Sequence, residues 1–281
     1  MSILSIEHIS YSYEDGTKAL KDVSFSVEPG EKTAFIGANG SGKSTTFLCL
    51  NGILKPQAGR ILYKDKPISY SKKELLSLRS KVGIVFQEPD NQLFAASVVQ
   101  EISFGLFNMK LPRCEIEKKV EAIVDYMGIT PFAQKPVHLL SGGQKKQVAL
   151  ADILVMEPEV LLMDEPVSAL DPVHTVMLHE KITELPKEGI TIIVSTHDLD
   201  FALQWADKIV VFHQGLILKS GSPEEIFMDK ELLVQAELIQ PKVIELYTEL
   251  TERGVLRENL PVPKDFQILK NYMIEAYYAK I

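Results

Sequence analysis

Thr33-Ala34-Phe35-Ile36, running straight into Gly37-Ala38-Asn39-Gly40-Ser41-Gly42-Lys43-Ser44, is the stretch that decides the fold. An apolar strand, a glycine-rich turn and a helix beginning near Lys43 follow one another without a gap, and that context turns a G-x-x-x-x-G-K-S pattern into a mechanism. Glycines let backbone N–H groups converge on phosphate oxygens, and the helix N-terminus adds its partial positive charge. Lys43 is expected to reach the β- and γ-phosphates of a nucleotide, Ser44 to offer its hydroxyl to Mg²⁺ and Thr45 to support the α-phosphate. A turn that binds nothing would need neither the strand before it nor Lys-Ser in this register.

A second apolar run, Val160-Leu161-Leu162-Met163, delivers Asp164 and Glu165 to its end, as the buried central strand of a parallel sheet should. Ligands of such sheets sit beyond the carboxyl ends of the strands, so both carboxylates are expected beside the phosphates. Asp164 would hold Mg²⁺, and Glu165 would polarise an attacking water as general base. An Asp-Glu pair after an apolar strand also occurs as a plain strand end with a helix cap. Here the phosphate loop upstream and Pro166 just after it favour chemistry.

Further positions are weak singly. Gln87 ends the strand Val82-Gly83-Ile84-Val85-Phe86, where a polar boundary residue is common. His197 follows the strand Thr191-Ile192-Ile193-Val194-Ser195 and, with Asp198 beside it, also reads as the start of a helix. Ser168-Ala169-Leu170-Asp171 reads as a turn with Asp171 as N-cap and Pro172 at the first helical position. Leu140-Ser141-Gly142-Gly143-Gln144 lies between the phosphate loop and the acidic strand.

In this order, phosphate loop, glutamine, LSGGQ, acidic strand, the Ser168-to-Asp171 stretch as the loop that crosses the dimer interface, and histidine, the set resembles the ATP-binding cassette ATPases across residues 1 to 225. The resemblance implies an α/β fold: a P-loop NTPase with a RecA-like parallel-sheet core, an antiparallel β subdomain and a helical signature subdomain. It implies that two chains close face to face, with Ser141, Gly142, Gly143 and Gln144 of each sealing the ATP of the other. It makes Gln87 a ligand of Mg²⁺ and the water, His197 a contact of the γ-phosphate, and Tyr13 a stacking platform for adenine. Tyr11 competes for that last role or packs the β layer. Departures are Val167, where Thr is usual, and Gln147, where Arg is common; neither removes a catalytic group.

Composition is compatible with this. A chain of 281 residues that is 46% hydrophobic can bury a full α/β core and a small appendage. Its net charge of −8 speaks against a nucleic-acid surface, which would show a basic excess. No stretch reaches the roughly 18 apolar residues needed to span a bilayer, and no basic-then-apolar leader is present, so the chain is expected to be soluble and cytosolic. Cys49 and Cys114 lack metal-ligand spacing, and Cys49 is expected to be buried as a small hydrophobe. The six histidines form no metal pattern; His174 and His179 do not share a helix face.

Along the chain, residues 1 to 32 read as short strands and turns forming the antiparallel layer. From about 88 to 156 the pattern is helical, with Ile116, Val120, Ile123, Val124 and Met127 at helix spacing and Gly128 as the stop. The expected division is a nucleotide-binding domain at 1–225 and a small α-helical extension at 226–281. In the extension Val243, Leu246, Tyr247 and Leu250 form one apolar face that packs against the core or a second subunit.

The run from Gly83 to Phe94, in which Gln87-Glu88 leads into Pro89-Asp90-Asn91-Gln92, is similar to the ATPases of energy-coupling-factor importers. Tyr13-Glu14-Asp15-Gly16-Thr17, Leu50-Asn51-Gly52-Ile53-Leu54 and Ser195-Thr196-His197-Asp198-Leu199-Asp200 look like the cobalt and nickel branch. That likeness implies a peripheral ATPase on the cytoplasmic face of the cell membrane, using ATP and Mg²⁺. Its partners would be a second ATPase subunit, identical or paralogous, a membrane coupling protein that inserts helices, and a membrane protein that binds the substrate. No nucleic-acid partner is expected. The alternatives are a shared energising ATPase for vitamin uptake, a soluble cassette protein of DNA repair or translation, and a regulatory cassette that does not hydrolyse. The absence of a heptad arm and of a second cassette speaks against the soluble class, and intact Lys43, Glu165, Ser141 and His197 speak against the last.

Overall fold

The computed structural model describes residues 1–185 and 189–278. In chain order the strands are β1 (Leu4–Ser12), β2 (Lys18–Val27), β3 (Lys32–Ile36), β4 (Ala58–Tyr63), β5 (Lys66–Pro67), β6 (Val82–Val85), β7 (Val160–Asp164), β8 (Thr191–Ser195), β9 (Lys208–His213) and β10 (Leu216–Gly221). The helices are α1 (Lys43–Leu50), α2 (Lys72–Lys81), α3 (Val98–Asn108), α4 (Arg113–Tyr126), α5 (Gly142–Leu154), α6 (Pro172–Glu184), α7 (Leu199–Trp205), α8 (Pro223–Phe227), α9 (Lys230–Gln235), α10 (Lys242–Glu252) and α11 (Phe266–Tyr278).

Two sheets result. One is six-stranded in the order β10-β9-β3-β8-β7-β6, with β3, β6, β7, β8 and β9 parallel and β10 turned back on β9. β3, β6, β7 and β8 are apolar and almost wholly buried, as strands covered on both faces must be. β7 is interior but not central, since only β6 separates it from the edge. The other sheet is antiparallel and four-stranded, in the order β2-β1-β4-β5. It therefore draws on residues 58–67 as well as on 1–32, and β1 and β2 run to 9 and 10 residues, longer than the short strands expected. Val, Ile and Phe at alternate positions bury one face of β1 and β2, and the alternation slips by a residue at His8, whose φ of 53° marks a bulge.

Register is what makes the site. Phe35 pairs with Ser195 and Ser195 with Asp164, so the carboxyl ends of β3, β8 and β7 finish level with one another. Every loop leaving that edge starts from the same rim. Beneath it Phe35, fully buried, stacks on Phe47 at 5.1 Å and tilts onto Phe212 at 4.9 Å, locking α1 and β9 to β3. Truncating Phe35 to Ala would cost about 3–5 kcal/mol and loosen the loop above it.

The helices α3, α4 and α5 pack together, with Ile102, Leu106, Ile116, Val120 and Val148 in one apolar cluster. Gly128, at φ 67°, ends the α4 run as expected, and Cys49 is buried. In α10 the buried face is Val243, Ile244 and Tyr247, while Leu246 is 37% exposed and Leu250 only packs at the margin. Ile244 and Leu246 flank the Val243–Tyr247 line on opposite sides, so spacing alone does not choose between them; tertiary packing does. Tyr247 also donates its hydroxyl to the Leu260 carbonyl at 2.6 Å, tying α10 to the segment before α11. No helix among the described residues is long and apolar enough to cross a membrane.

Candidate active site

The glycines after β3 are required by geometry. A Cβ on Gly37, at φ 145°, would stand 2.2 Å from the Phe212 carbonyl oxygen, and one on Gly42, at φ 111°, 2.8 Å from that of Ala19. Gly42 is also the N-cap of α1 and supplies no side-chain acceptor, so the first-turn N–H groups of the helix remain for an anion. The Lys43 ammonium folds back onto the loop, donating to the carbonyls of Gly37 at 2.7 Å and Ala38 at 3.1 Å. Burial lowers its pKa, and the carboxylates of Glu165 and Asp164 oppose that shift.

Gly42 and Lys43 line a polar cavity of about 210 Å³ together with Tyr13, Ser44, Gln87, Asp164 and Glu165, whereas Gly37 and Ala38 do not line it. Asn39, Gly40, Ser41 and Thr45 complete its floor, and Thr17 and Lys18 form a wall that the sequence did not announce. The phosphate loop, the acidic strand end and the glutamine therefore meet in one place. Tyr13 stands at the mouth with its ring edge against Tyr11, centroids 5.1 Å apart. Its hydroxyl lies 3.0 Å from Thr45 Oγ1, so the stacking candidate and the α-phosphate candidate touch each other.

Asp164 accepts a 2.5 Å hydrogen bond from Ser195 Oγ, and that same oxygen accepts from the Glu165 N–H at 3.0 Å. Ser195 was missed in the sequence; a hydroxyl closing an otherwise apolar strand, two residues before His197, was the available signal. Glu165 adopts φ 47°, a left-handed conformation that costs a non-glycine residue on the order of 1 kcal/mol and persists only where its surroundings enforce it. Burial raises the Glu165 pKa while the Lys43 ammonium opposes the rise, which makes the carboxylate a stronger base than one in water. His197 reaches the same carboxylate, Nε2 to Oε1 3.0 Å, and burial followed by Lys43 lowers its pKa.

Two buried oxygens in this cavity, Ser41 Oγ and Glu165 Oε1, have no hydrogen-bond partner among the described residues. Buried polar atoms of that kind point to a ligand or water. Hydroxyl, carboxylate and amide oxygens at Ser44, Asp164 and Gln87 are the hard donors Mg²⁺ prefers. No group of three or more His, Cys, Asp or Glu among the described residues forms a metal cage.

Ser141, Gly142, Gly143 and Gln144 do not line this cavity. Ser141 is the exposed N-cap of α5, closed by a capping box in which Gln144 N donates to Ser141 Oγ and Ser141 N to Gln144 Oε1. Gly143 faces His174, which a Cβ would meet at 2.8 Å. The crossing loop ends as read, with Asp171 capping α6 through Val173 N and His174 N and Pro172 in its first turn.

Residues 20–168 match the family described as ABC transporter. The energy-coupling factor transporter ATP-binding protein EcfA2 of Clostridium perfringens is 48% identical over 252 residues, 89% of this chain and 88% of its own. The energy-coupling factor transporter ATP-binding protein EcfA of Methanocaldococcus jannaschii is 45% identical over 268 residues, 95% of each chain. The structure of CbiO1 from Clostridium perfringens, described as part of the ABC transporter complex CbiONQ, aligns with a TM-score of 0.74 at 48% identity, covering 88% of this chain and 99% of that one. An ATP-binding cassette solved as a dimer in a post-hydrolysis state, bound to ADP and Pi, aligns with a TM-score of 0.71 at 25% identity over 78% of this chain and 98% of that one.

Proposed function

The chain belongs to the ABC transporter family, and from that membership we propose that it is the ATP-hydrolysing subunit of an energy-coupling-factor importer, with cobalt as the transported ion. It is an ATPase whose hydrolysis is coupled to transport. The observation that carries the reading is the meeting of Lys43, Asp164 and Glu165 in one cavity that Ser141 of the same chain does not line. Residues 1–225 act as the nucleotide-binding domain and 226–281 as its helical extension.

In this mechanism the loop from Gly37 to Ser44 and the α1 N-terminus hold the phosphates, and Tyr13 stacks on the adenine. Ser44, Asp164 and Gln87 would hold Mg²⁺, which supplies neutralisation of phosphate charge when bound. Glu165 takes a proton from the attacking water at Oε1, the oxygen without a donor, while His197 steadies the carboxylate and the γ-phosphate. Ser141 to Gln144 serve the nucleotide of a second subunit. The similar cassette solved as a dimer with ADP and Pi supports a paired arrangement.

A groove of about 810 Å³ beside α3 and α4, lined by Ala96, Val99, Phe104, Phe107 and Val120, supports docking of an apolar helix from a membrane coupling protein. Phe94 stands at this surface 67% exposed with its ring edge on Phe104, whereas Leu93 is buried. The loop is held in place from below: buried Glu101 accepts from Phe94 N at 2.8 Å and Ala95 N at 2.5 Å. The chain would then work at the cytoplasmic face of the membrane as a peripheral subunit. Of the other transported substrates, nickel comes next and a vitamin after it. The test is ATP-driven accumulation of radioactive cobalt in proteoliposomes holding the complex purified through this chain. Accumulation that nickel competes and Lys43→Ala abolishes supports the reading; accumulation of a vitamin with no metal uptake moves the chain to the vitamin importers.

A further inference from the structure

Lys146 lies on α5, a turn and a half beyond Ser141, and is 7% exposed. Among the described residues its ammonium forms no ion pair with a carboxylate. It donates to the Glu165 backbone carbonyl at 3.2 Å and to Ser168 Oγ at 3.0 Å. Burial drives its pKa down to about 8, with the Glu165 charge pulling the other way. A desolvated ammonium is a costly way to join two elements that apolar side chains join well, so its presence calls for a reason other than stability.

The backbone supplies one. Glu165 is held left-handed, which turns its carbonyl out of the β7 line and towards α5. That carbonyl accepts from two sides, from Ser168 N at 3.0 Å within the turn and from Lys146 across the gap. On the other side of the Cα, the Glu165 N–H is held by Ser195. The conformation that aims the carboxylate into the cavity is thus clamped at its N–H by β8 and at its carbonyl by α5.

We propose that Lys146 is a positioning residue for hydrolysis: from the helix that begins at Ser141, it holds the carbonyl of Glu165 and the Ser168 hydroxyl, and so sets where the Glu165 carboxylate stands. The proposal rests on the reading of Glu165 as general base. It predicts an effect on turnover and not on nucleotide capture, because Lys146 does not itself line the cavity and its hydrogen bonds go to the Glu165 carbonyl and the Ser168 hydroxyl, not to the phosphate loop.

The test uses the membrane complex purified through a tag on this chain, with steady-state hydrolysis and equilibrium binding of ATP measured in parallel. Lys146→Met, which keeps the stem and removes the donors, is expected to lower kcat on the order of tenfold or more, with KM and ATP affinity within about twofold of the parent. Lys146→Gln, which restores N–H donors without charge, is expected to recover most of kcat. Parent-like kcat in Lys146→Met overturns the proposal, as does equal loss in both variants or loss of ATP binding in step with kcat. A Met variant that fails to fold beside a Gln variant of normal activity also overturns it, since Lys146 is then a core residue. Glu165→Gln, run alongside, separates the two ideas: parent-like turnover there removes the base and the proposal with it. An inactive Glu165→Gln beside a parent-like Lys146→Met removes the positioning role alone.

Discussion

His197 Nε2 stands 3.0 Å from Glu165 Oε1, yet off the line a hydrogen bond needs, so the buried oxygen keeps its lone pairs uncommitted. The contact fixes the carboxylate without consuming its basicity. Burial lowers the His197 pKa, which keeps the imidazole neutral near pH 7 and spares Glu165 a full ion pair that would weaken it as a base.

The signature segment is predicted to act on the other chain. Ser141→Arg removes an N-cap worth about 0.5–2 kcal/mol, too little to unfold the protein, and leaves the phosphate cavity untouched. Hydrolysis should fall to background while the isolated chain binds ATP with near-parent affinity. Mixed with Lys43→Ala chains, it should regain part of the activity through the one composite site that keeps both Lys43 and Ser141. Nucleotide-binding titrations in which Ser141→Arg is as impaired as Lys43→Ala would contradict a shared site.

Coupling is predicted to pass through the exposed aromatic surface of α3. Phe94→Asp should leave folding and ATP binding intact, because the ring is 67% exposed and only its edge meets Phe104. Co-purification of membrane proteins and substrate uptake should be lost. Loss of the soluble fold on thermal melting would place Phe94 in the core, and normal assembly with normal uptake would end the docking role.

Asp152 is predicted to lower stability at neutral pH. Burial raises its pKa from 3.8 to about 7, with Gln92 Nε2 donating to Oδ2 at 3.2 Å and opposing the rise. Between those values the folded chain binds the proton and the unfolded chain does not, so ionisation destabilises the fold progressively as pH rises from about 4 to 7, and no further above. Asp152→Asn keeps an acceptor for Gln92 and should raise stability by about 1–4 kcal/mol at pH 8, shrinking to nothing near pH 4. Melting curves that shift equally at both pH values would remove the titration as cause.

Much of the site was legible because its parts are local. A strand, a glycine turn and a helix start place Gly37 to Ser44 without reference to the rest of the chain, and Asp164 and Glu165 follow from an apolar strand reaching its end. Ser195 and Lys146 were not legible, since what they do depends on which strands and helices lie side by side. Ser195 matters through its pairing with Asp164 across β7 and β8, and Lys146 through the 19 residues that separate it from the carbonyl it holds. The fold shows the same limit. Residues 58–67 join the antiparallel sheet because β4 pairs with β1 and β5 with β4, and the buried flank of α10 is chosen by its neighbours and not by its own periodicity.

The most direct measurement is ATP turnover and ATP affinity of Glu165→Gln, because the amide keeps the shape of the side chain and removes its proton affinity. ATP should bind at near-parent affinity, the dimer should persist with ATP on size-exclusion chromatography, and turnover should fall on the order of a hundredfold or more. Hydrolysis at the parent rate would contradict the role of Glu165 as general base.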